Sequence, residues 1–196
     1  MARVQNVIGS RAILPSFVTG HEPGGAPTRS GHRHLTFLFD PISRRLLVVS
    51  PHVIDRRSSS REEVGHLEHL DQALHDLREL RAGASGLLTL ERHQVEIGSD
   101  SLFAASTVWE SATPYQVTRH VKGVGAAAAL AANLRTECLE AGLPEPEVTP
   151  MASWGVSGSG LSGNARLTFK VAVDGPITLG RSRHLGGGLF VAALRP

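Results

Sequence analysis

The sequence predicts an α+β fold made of two units, in which antiparallel sheets carry helices on one face. Three observations predict it: the chain has 196 residues, two helical stretches each have strand-like stretches on both sides, and no linker separates the halves. A chain of this length can form one large domain or two small ones. We therefore predict two modules, residues 1–100 and 101–196, packed as one compact body.

The first half contains the clearest helix of the chain. After about thirty loop-like residues, "HLTFLFD" and "RRLLVVSP" flank the turn-like "PIS", which indicates two adjacent strands. The helix is predicted in "SREEVGHLEHLDQALHDLREL", because Ser60 and Glu63 have the spacing of a capping box. Its apolar residues recur every three or four positions: Val64, Leu67, Leu70, Leu74 and Leu77. "SGLLTLERHQVEI" then reads as a strand.

The second half places one helix among several strands. "FAASTVWESATPYQVTRHVKG" is strand-like and is interrupted at Pro114. The helix in "VGAAAALAANLRTECLEAGLPEP" is expected to end at Gly142, since Pro144 cannot continue it. "ARLTFKVAV" alternates, so one face of a strand should carry four apolar residues: Leu167, Phe169, Val171 and Val173. A C-terminal glycine-rich loop leads to a last strand in "GLFVAAL".

The charge is unevenly distributed and is carried mostly by arginine. The formal net charge is +2, but residues 1–61 hold nine Arg against three acidic residues, and residues 62–100 hold three Arg against nine. Of the 20 basic residues, 18 are arginine, whose forked donors suit phosphates and whose planar face suits bases. This favours a polyanionic partner. A GC-rich genome that encodes Arg in place of Lys would give the same composition.

Several classes of site and location are excluded or disfavoured. A single cysteine, Cys138, permits neither an intramolecular disulfide nor a multi-cysteine zinc site. The glycine run has no following Lys-Ser/Thr, so it is not a P-loop, and no dinucleotide-binding fingerprint occurs. His34-Leu35-Thr36 has no second His-x-Thr/Ser partner for a two-histidine phosphoesterase.

Without a signal-peptide core or a run of about 20 apolar residues, we expect a cytoplasmic protein with no membrane partner. We expect neither a metal nor a cofactor.

The stretch "LGRSRHLGGGLF", residues 179–190, is the first candidate site, and we call it the glycine-rich loop. Its glycines are Gly180, Gly186, Gly187 and Gly188. Glycines permit positive φ and leave backbone amides accessible, so the loop could bind phosphate, with Arg181, Arg183 and His184 adding charge. A tight turn between packed strands explains the glycines equally well, and the basic residues favour the polyanion.

Three histidine positions are candidates for proton transfer, because histidine titrates near neutral pH. His21 lies in the loop "TGHEPGG", and His34 follows Arg33 where that loop meets a strand. His120 stands between Arg119 and Lys122 in "TRHVKG". Each of them is also explained as a solvated surface histidine. A shared site requires that they converge in the fold.

Five segments together resemble one family of RNA-processing proteins: "SFVTGHEPGG", "GHRHLTFLF", "RRLLVVSPHVIDRR", "WESATPYQVTRHVKG" and "LGRSRHLGGGLF". From about Leu14 to the C-terminus the chain is similar to the CRISPR-associated repeat-RNA-processing endoribonucleases of the RAMP superfamily, type I-U (I-G) variant. It resembles the endoribonuclease half of the fused backbone/endoribonuclease protein. Chains of that family are longer, with the partner module N-terminal, which leaves open that the first module is incomplete alone.

The resemblance implies two ferredoxin-like (RRM-like) modules and a metal-independent endoribonuclease. Such an enzyme cuts CRISPR precursor RNA within repeats through attack by the 2′-hydroxyl, and keeps the 3′ handle of the mature guide RNA. Its implied partners are this RNA and the other subunits of a type I interference complex. His34, His21 and His120 are the expected proton-transfer residues. The implied RNA-binding residues are Arg33, Arg119, Lys122, Gly180, Arg181, Arg183, His184, Gly186, Gly187 and Gly188.

Two readings from other classes stay open at this stage. The same loop and sheet would serve a non-catalytic RNA-binding subunit of a CRISPR interference complex, which holds the repeat-derived handle without cutting. A purely protein-binding module of the same fold fits the arginine distribution poorly.

Overall fold

The computed structural model describes residues 2–9, 11–26, 34–118, 125–157 and 160–193. They form a mixed α/β structure with antiparallel sheets. The helices are α1 (Ala2–Ile8), α2 (Ser16–Thr19), α3 (Pro51–Ile54), α4 (Arg61–Leu74) and α5 (Ala126–Glu140). The strands are β1 (Thr36–Asp40), β2 (Arg45–Val49), β3 (Glu79–Arg81), β4 (Leu87–Thr89), β5 (Ala105–Ser111), β6 (Tyr115–Gln116), β7 (Glu147–Ser157), β8 (Gly160–Asp174), β9 (Ile177–Thr178) and β10 (Leu189–Ala192). Among these residues no helix combines the length and the hydropathy that crossing a membrane requires.

The internal contacts divide the chain into two units. Unit 1 contains Met1–Leu35, Ser50–His52 and Arg57–Val95, and unit 2 contains Thr36–Val49, Val53–Arg56 and Glu96–Pro196. The β1–β2 hairpin therefore has its contacts with the C-terminal half of the chain rather than with its sequence neighbours. The two modules predicted as residues 1–100 and 101–196 stay a prediction.

Helix α4 of unit 1 begins with the capping box that the sequence predicts. The amide of Glu63 donates to Ser60 Oγ at 3.2 Å, and the amide of Ser60 donates to Glu63 Oε2 at 2.8 Å. Arg57 adds two donors to the same carboxylate, at 2.8 and 2.5 Å. These contacts, led by the Arg57 hydrogen bond, lower the pKa of Glu63 to about 2. The start of the helix therefore depends on an ionised carboxylate.

The rest of unit 1 packs around α4. Helices α1 and α2 lie against it, and the Phe17 ring stacks on the His66 imidazole with centroids 5.3 Å apart. The predicted helix was too long: it ends at Leu74, and the chain then forms the β3–β4 hairpin. The predicted strand from residue 85 onward is confirmed only for the three residues of β4.

Unit 2 is organised around an antiparallel sheet with the order β6-β8-β5-β10-β9, and β7 pairs with the other edge of β8. Helix α5 packs on one face through Leu130, Leu134 and Cys138, all fully buried. Gly142 at φ +74° ends that helix, as the sequence predicts. The long strand β7 was missed in the sequence, where a run of polar and glycine residues obscures its pattern.

The predicted hairpin of β1 and β2 is confirmed, and it covers the other face of the sheet. Alternate residues of β10 face opposite ways: Phe190 packs in the core with α5, whereas Leu189 packs with Leu38 and Val49 of the hairpin. Asp40, at the end of β1, has no exposed surface. Burial alone would raise the pKa of Asp40, but bonds from Ser43, the Ile42 amide and Arg45 outweigh it and lower the pKa. The hairpin thereby covers the sheet at β10 on the face opposite α5.

One apolar residue of β8 does not face the core as predicted. Leu167, Phe169 and Val173 are buried, but 57% of Val171 is exposed. The β5–β8 register shifts between Ser106 and Val108. The stretch of β8 opposite these two residues is longer than the stretch of β5 between them. A bulge of this kind breaks the two-residue alternation on which the prediction depended.

We predict that the Glu63 capping contacts make the free energy of unfolding fall as the pH drops from about 4.5 to about 2. A carboxylate whose pKa is lower in the folded chain stabilises it above the unfolded pKa, and that contribution is lost through the folded value. Glu63→Gln should lower stability at pH 7 and flatten the acid profile measured by urea unfolding. The exposed Glu68→Gln is the matched control, and equal profiles for the two variants would contradict the prediction.

Candidate nucleic-acid interface and histidine site

The imidazole of His34 is held in a fixed orientation in unit 1. Its Nδ1 lies 2.8 Å from the carbonyl oxygen of Leu35, and because a carbonyl only accepts, Nδ1 carries the proton. In the neutral ring the lone pair is then on Nε2. The ring also lies directly against Gly20, where a Cβ would come within 2.9 Å of His34 Cδ2. His34 is partly buried.

His21 directly follows Gly20 and has the same tautomer. Its Nδ1 lies 2.8 Å from the carbonyl oxygen of Thr19, so the proton is again on Nδ1. The Thr19 hydroxyl also bonds both the amide and the carbonyl of His21, each at 3.1 Å. These local bonds hold His21 after the αL turn at Gly20. His21 remains exposed to solvent.

Gly20 contacts one of these predicted histidines and directly precedes the other. It has φ +73°, a conformation that favours glycine, and its lack of a side chain admits the His34 ring next to the residue preceding His21. A neutral imidazole whose Nδ1–H bonds a carbonyl can accept or donate a proton through Nε2, so each of the two residues is suited to general acid–base work. The sequence contains the glycine but does not reveal its contact with a histidine fourteen positions later.

The glycine-rich loop of unit 2 connects β9 to β10 and contains a 3₁₀ turn, Arg183–Leu185. Both ends of the loop are closely packed. A Cβ on Gly180 would come within 2.7 Å of the Gln116 carbonyl oxygen and 2.8 Å of the Tyr115 ring. A Cβ on Gly188 would overlap the Leu179 carbonyl. These two glycines are buried, and close backbone packing requires both of them.

The backbone amides of the loop are already engaged inside the protein. Gly188 donates to the Pro114 carbonyl at 2.9 Å and Gly187 to that of Ser182 at 3.1 Å. Gly186 donates to Arg183 within the 3₁₀ turn, and Gly180 donates to a carboxylate. The expectation that these amides bind phosphate therefore has no support in the geometry. The tight-turn explanation accounts for the glycines.

The basic side chains of the loop have different environments. Arg181 is exposed, whereas Arg183 and His184 are half-buried. Arg183 Nε donates to His184 Nε2 at 3.2 Å, so that imidazole nitrogen is an acceptor and the ring is neutral in this arrangement. The positive charge that the loop presents therefore comes from the two arginines.

A carboxylate that the sequence analysis missed holds the loop in place. Glu137 of α5 accepts hydrogen bonds from the Tyr115 hydroxyl at 2.7 Å, the Thr118 hydroxyl at 2.7 Å and the Gly180 amide at 2.6 Å. The available signal was its spacing, since Glu137 lies three positions after the buried Leu134 and so on the core side of the helix. Charge-assisted hydrogen bonds of this kind are stronger than hydrogen bonds between neutral groups.

The groups beside Glu137 stay protonated at neutral pH. Burial, and then the charge of Glu137, raises the pKa of Tyr115 far above its usual range. The same two causes raise the pKa of the buried Cys138 thiol to about 12. Tyr115 is therefore a permanent donor to Glu137, and Cys138 is an unreactive core residue.

Four predicted site residues lie outside the described residues: Arg33, Arg119, His120 and Lys122. Of the others, His21 and His34 belong to unit 1 and the glycine-rich loop to unit 2. Within the ranges that the structure describes, no group of three or more His, Cys, Asp or Glu side chains is arranged to hold a metal ion.

Comparisons with known proteins add no relative to these observations. No family model, no curated protein and no solved structure matches the chain.

We predict that Glu137→Gln loosens the glycine-rich loop. An amide NH₂ would face the Gly180 amide in place of an acceptor oxygen, and losing a hydrogen bond to a charged group costs about 1.5–3 kcal/mol, less where water reaches the site. Hydrogen exchange at Gly180 and Arg181 should accelerate, and the urea midpoint should fall. Glu145→Gln, at an exposed position of unit 2, is the control. If hydrogen exchange at Gly180 and Arg181 is unchanged in Glu137→Gln, the carboxylate does not hold the loop.

Proposed function

We propose that the chain is a metal-independent endoribonuclease that cuts CRISPR precursor RNA within its repeats and retains the 3′ handle of the guide RNA. The observation that carries the proposal is that backbone carbonyls orient the rings of His21 and His34, and that His34 lies against Gly20, the residue before His21. The family resemblance supplies the substrate. Type I interference subunits as partners and a cytoplasmic location belong to the same proposal.

The proposed reaction is an internal transfer at one phosphodiester. Nε2 of His34 takes the proton from the 2′-hydroxyl, and the resulting 2′-oxygen attacks the adjacent phosphorus. The bond from phosphorus to the 5′-oxygen breaks, and the leaving oxygen takes a proton from the protonated ring of His21. The products are a 2′,3′-cyclic phosphate and a 5′-hydroxyl, so base and acid exchange one proton each. A cation stabilises the charged intermediate phosphate in such a reaction. The sequence-based candidates for that role, Arg119 and Lys122, and the alternative proton-transfer residue His120 lie outside the described residues.

The strand order of unit 2 supports the proposal of a ferredoxin-like module. Strand β5, helix α5, then β7 and β8 follow in the chain, and the spatial order is β7-β8-β5-β10 with antiparallel neighbours throughout. This is the βαββ…β arrangement of such a module, with β9 and the glycine-rich loop where its second helix would lie. The same module in the N-terminal half remains part of the proposal.

The glycine-rich loop is proposed to bind RNA through its side chains rather than its amides. Arg181 is exposed, and Arg183 lies two residues further along the same loop, in the turn closed by Gly186 and Gly187. Arginine binds phosphate in a forked geometry and stacks on bases. Because the loop is tied to α5 through Glu137, these side chains extend from a fixed backbone.

A non-catalytic RNA-binding subunit is the second candidate. One observation favours it: the arginines of the loop belong to unit 2, whereas the histidine pair belongs to unit 1, so RNA binding by the loop requires neither histidine. The two candidates differ in one measurable property, which is cleavage.

We predict cleavage of a CRISPR repeat RNA from the source genome in the presence of EDTA. The internal 2′-hydroxyl is the nucleophile, so the reaction needs only a base, an acid and a cation. Mass spectrometry of the fragments should identify 2′,3′-cyclic phosphate and 5′-hydroxyl ends, and a 2′-deoxy nucleotide at the cut should block the reaction. Activity that EDTA abolishes and magnesium restores would contradict the mechanism. Tight binding without any cutting would favour the second candidate.

We predict that His34→Ala lowers the single-turnover cleavage rate about 100- to 10,000-fold with little change in RNA affinity. Gly20→Ala should also slow cleavage, because the added methyl group would displace the His34 ring. Its matched control is Gly25→Ala, which also has positive φ, +88°, but has no atom within 4 Å of the added carbon.

The histidine assignment has a direct counter-test. If the alanine variants of His21, His34 and His120 all cut at nearly the wild-type rate, none of them transfers the proton. Equal slowing in Gly20→Ala and Gly25→Ala would mean that loop strain, rather than the ring contact, limits the reaction.

A further inference from the structure

The outer face of the β1–β2 hairpin carries two aromatic rings that folding does not explain. In β1 the buried Leu38 alternates with Phe37 and Phe39, whose exposed fractions are 53% and 47%. Their cross-strand partners on this face are Val48 and Leu46. A strand covered on one side ordinarily has polar residues on the other. Two half-exposed phenylalanines on one strand face therefore indicate a binding surface.

The glycine-rich loop lies beside the backbone of the strand that carries these rings. Its 3₁₀ turn packs against β1, and a Cβ on Gly186 would be 3.8 Å from the Phe39 amide and 4.0 Å from the Phe37 carbonyl oxygen. The hairpin and the loop belong to the same unit. The exposed Arg181 and the half-buried Arg183 are thus on the segment that borders the aromatic face. We call Phe37, Phe39, Arg181 and Arg183 the aromatic–arginine surface.

The size and charge of this surface favour one kind of occupant. A stable protein partner or a second copy buries about 800 Å² on each side. Phe37, Phe39 and Leu46 of this face are each about half exposed, and an aromatic residue buries about 150–250 Å² when fully covered, so together they present less than that area. Flat aromatic faces next to arginines instead match the two requirements of a single-stranded nucleic acid, stacking and phosphate binding.

The spacing of the rings adds a geometric reason. Residues two apart on a strand are about 6.6–6.8 Å apart. Phe37 and Phe39 are therefore far enough apart for each to stack on one of two successive unstacked bases. Bases in a duplex are stacked on each other and do not present their faces, whereas single-stranded RNA does.

We propose that the aromatic–arginine surface binds single-stranded RNA, with Phe37 and Phe39 stacking on bases while Arg181 and Arg183 bind the adjoining phosphates. The inference rests on the proposed RNA-binding function and adds the mode of binding. It assigns base stacking to the hairpin and charge to the loop, so the two contributions have different salt dependences.

The experiment uses a short unstructured RNA that carries 2-aminopurine, with affinity measured at several salt concentrations. The double variant Phe37→Leu/Phe39→Leu keeps an apolar face but removes the aromatic planes. It should weaken binding at least about fivefold, since stacking is worth about 5- to 150-fold per base, leave the salt slope unchanged and abolish the 2-aminopurine quenching. Val171→Ala removes an equally exposed apolar side chain of unit 2 and is the control.

The variant Arg181→Ala/Arg183→Ala separates the proposed base stacking from the proposed RNA-binding function on which it rests. It should reduce the salt slope by up to about 1.4, or about 0.7 per phosphate of a single strand, and retain the quenching at saturation. Wild-type affinity and quenching in the leucine variant would overturn the stacking role, and the face would then be a site for protein contacts. In that outcome a flattened slope in the arginine variant would leave RNA binding standing. A wild-type chain that binds no RNA at low salt would overturn both.

Discussion

The Glu137 carboxylate is the contact on which the candidate interface of unit 2 depends. Three donors from separate segments reach it: the Tyr115 hydroxyl in β6, the Thr118 hydroxyl after that strand and the Gly180 amide at the start of the glycine-rich loop. One charged group thus joins helix, sheet edge and loop. Buried donors without such an acceptor would each cost the folded state about 1–3 kcal/mol. The loop can then be rich in glycine without being loosely held.

Local features of the fold followed from the sequence, and features that depend on distant contacts did not. The capping box of α4, the β1–β2 hairpin and the end of α5 each depend on residues a few positions apart. Strand β7 and the outward turn of Val171 depend on the register of paired strands, which the sequence pattern does not encode.

The candidate sites divide in the same way. Residue types predicted the histidines and the arginines, because their chemistry is local to each side chain. The contact of Gly20 with His34 and the carboxylate that receives the Gly180 amide join positions far apart in sequence. The sequence left two roles open for the glycines, because a glycine run is compatible both with free amides and with close packing, and the contacts of Gly180 and Gly188 favour close packing.

Because the two ends of the glycine-rich loop are held by close packing, side chains in its middle can be substituted while the ends stay in place. Gly180 and Gly188 fix the two ends against Tyr115 and the Leu179 carbonyl, and neither contact involves a side chain of residues 181–185. The exposed Arg181 and Leu185 can therefore change without altering the closure of the loop. Selection for folding acts on the two ends of the loop and leaves the exposed positions between them open to substitution, so variation and constraint are separated within a dozen residues.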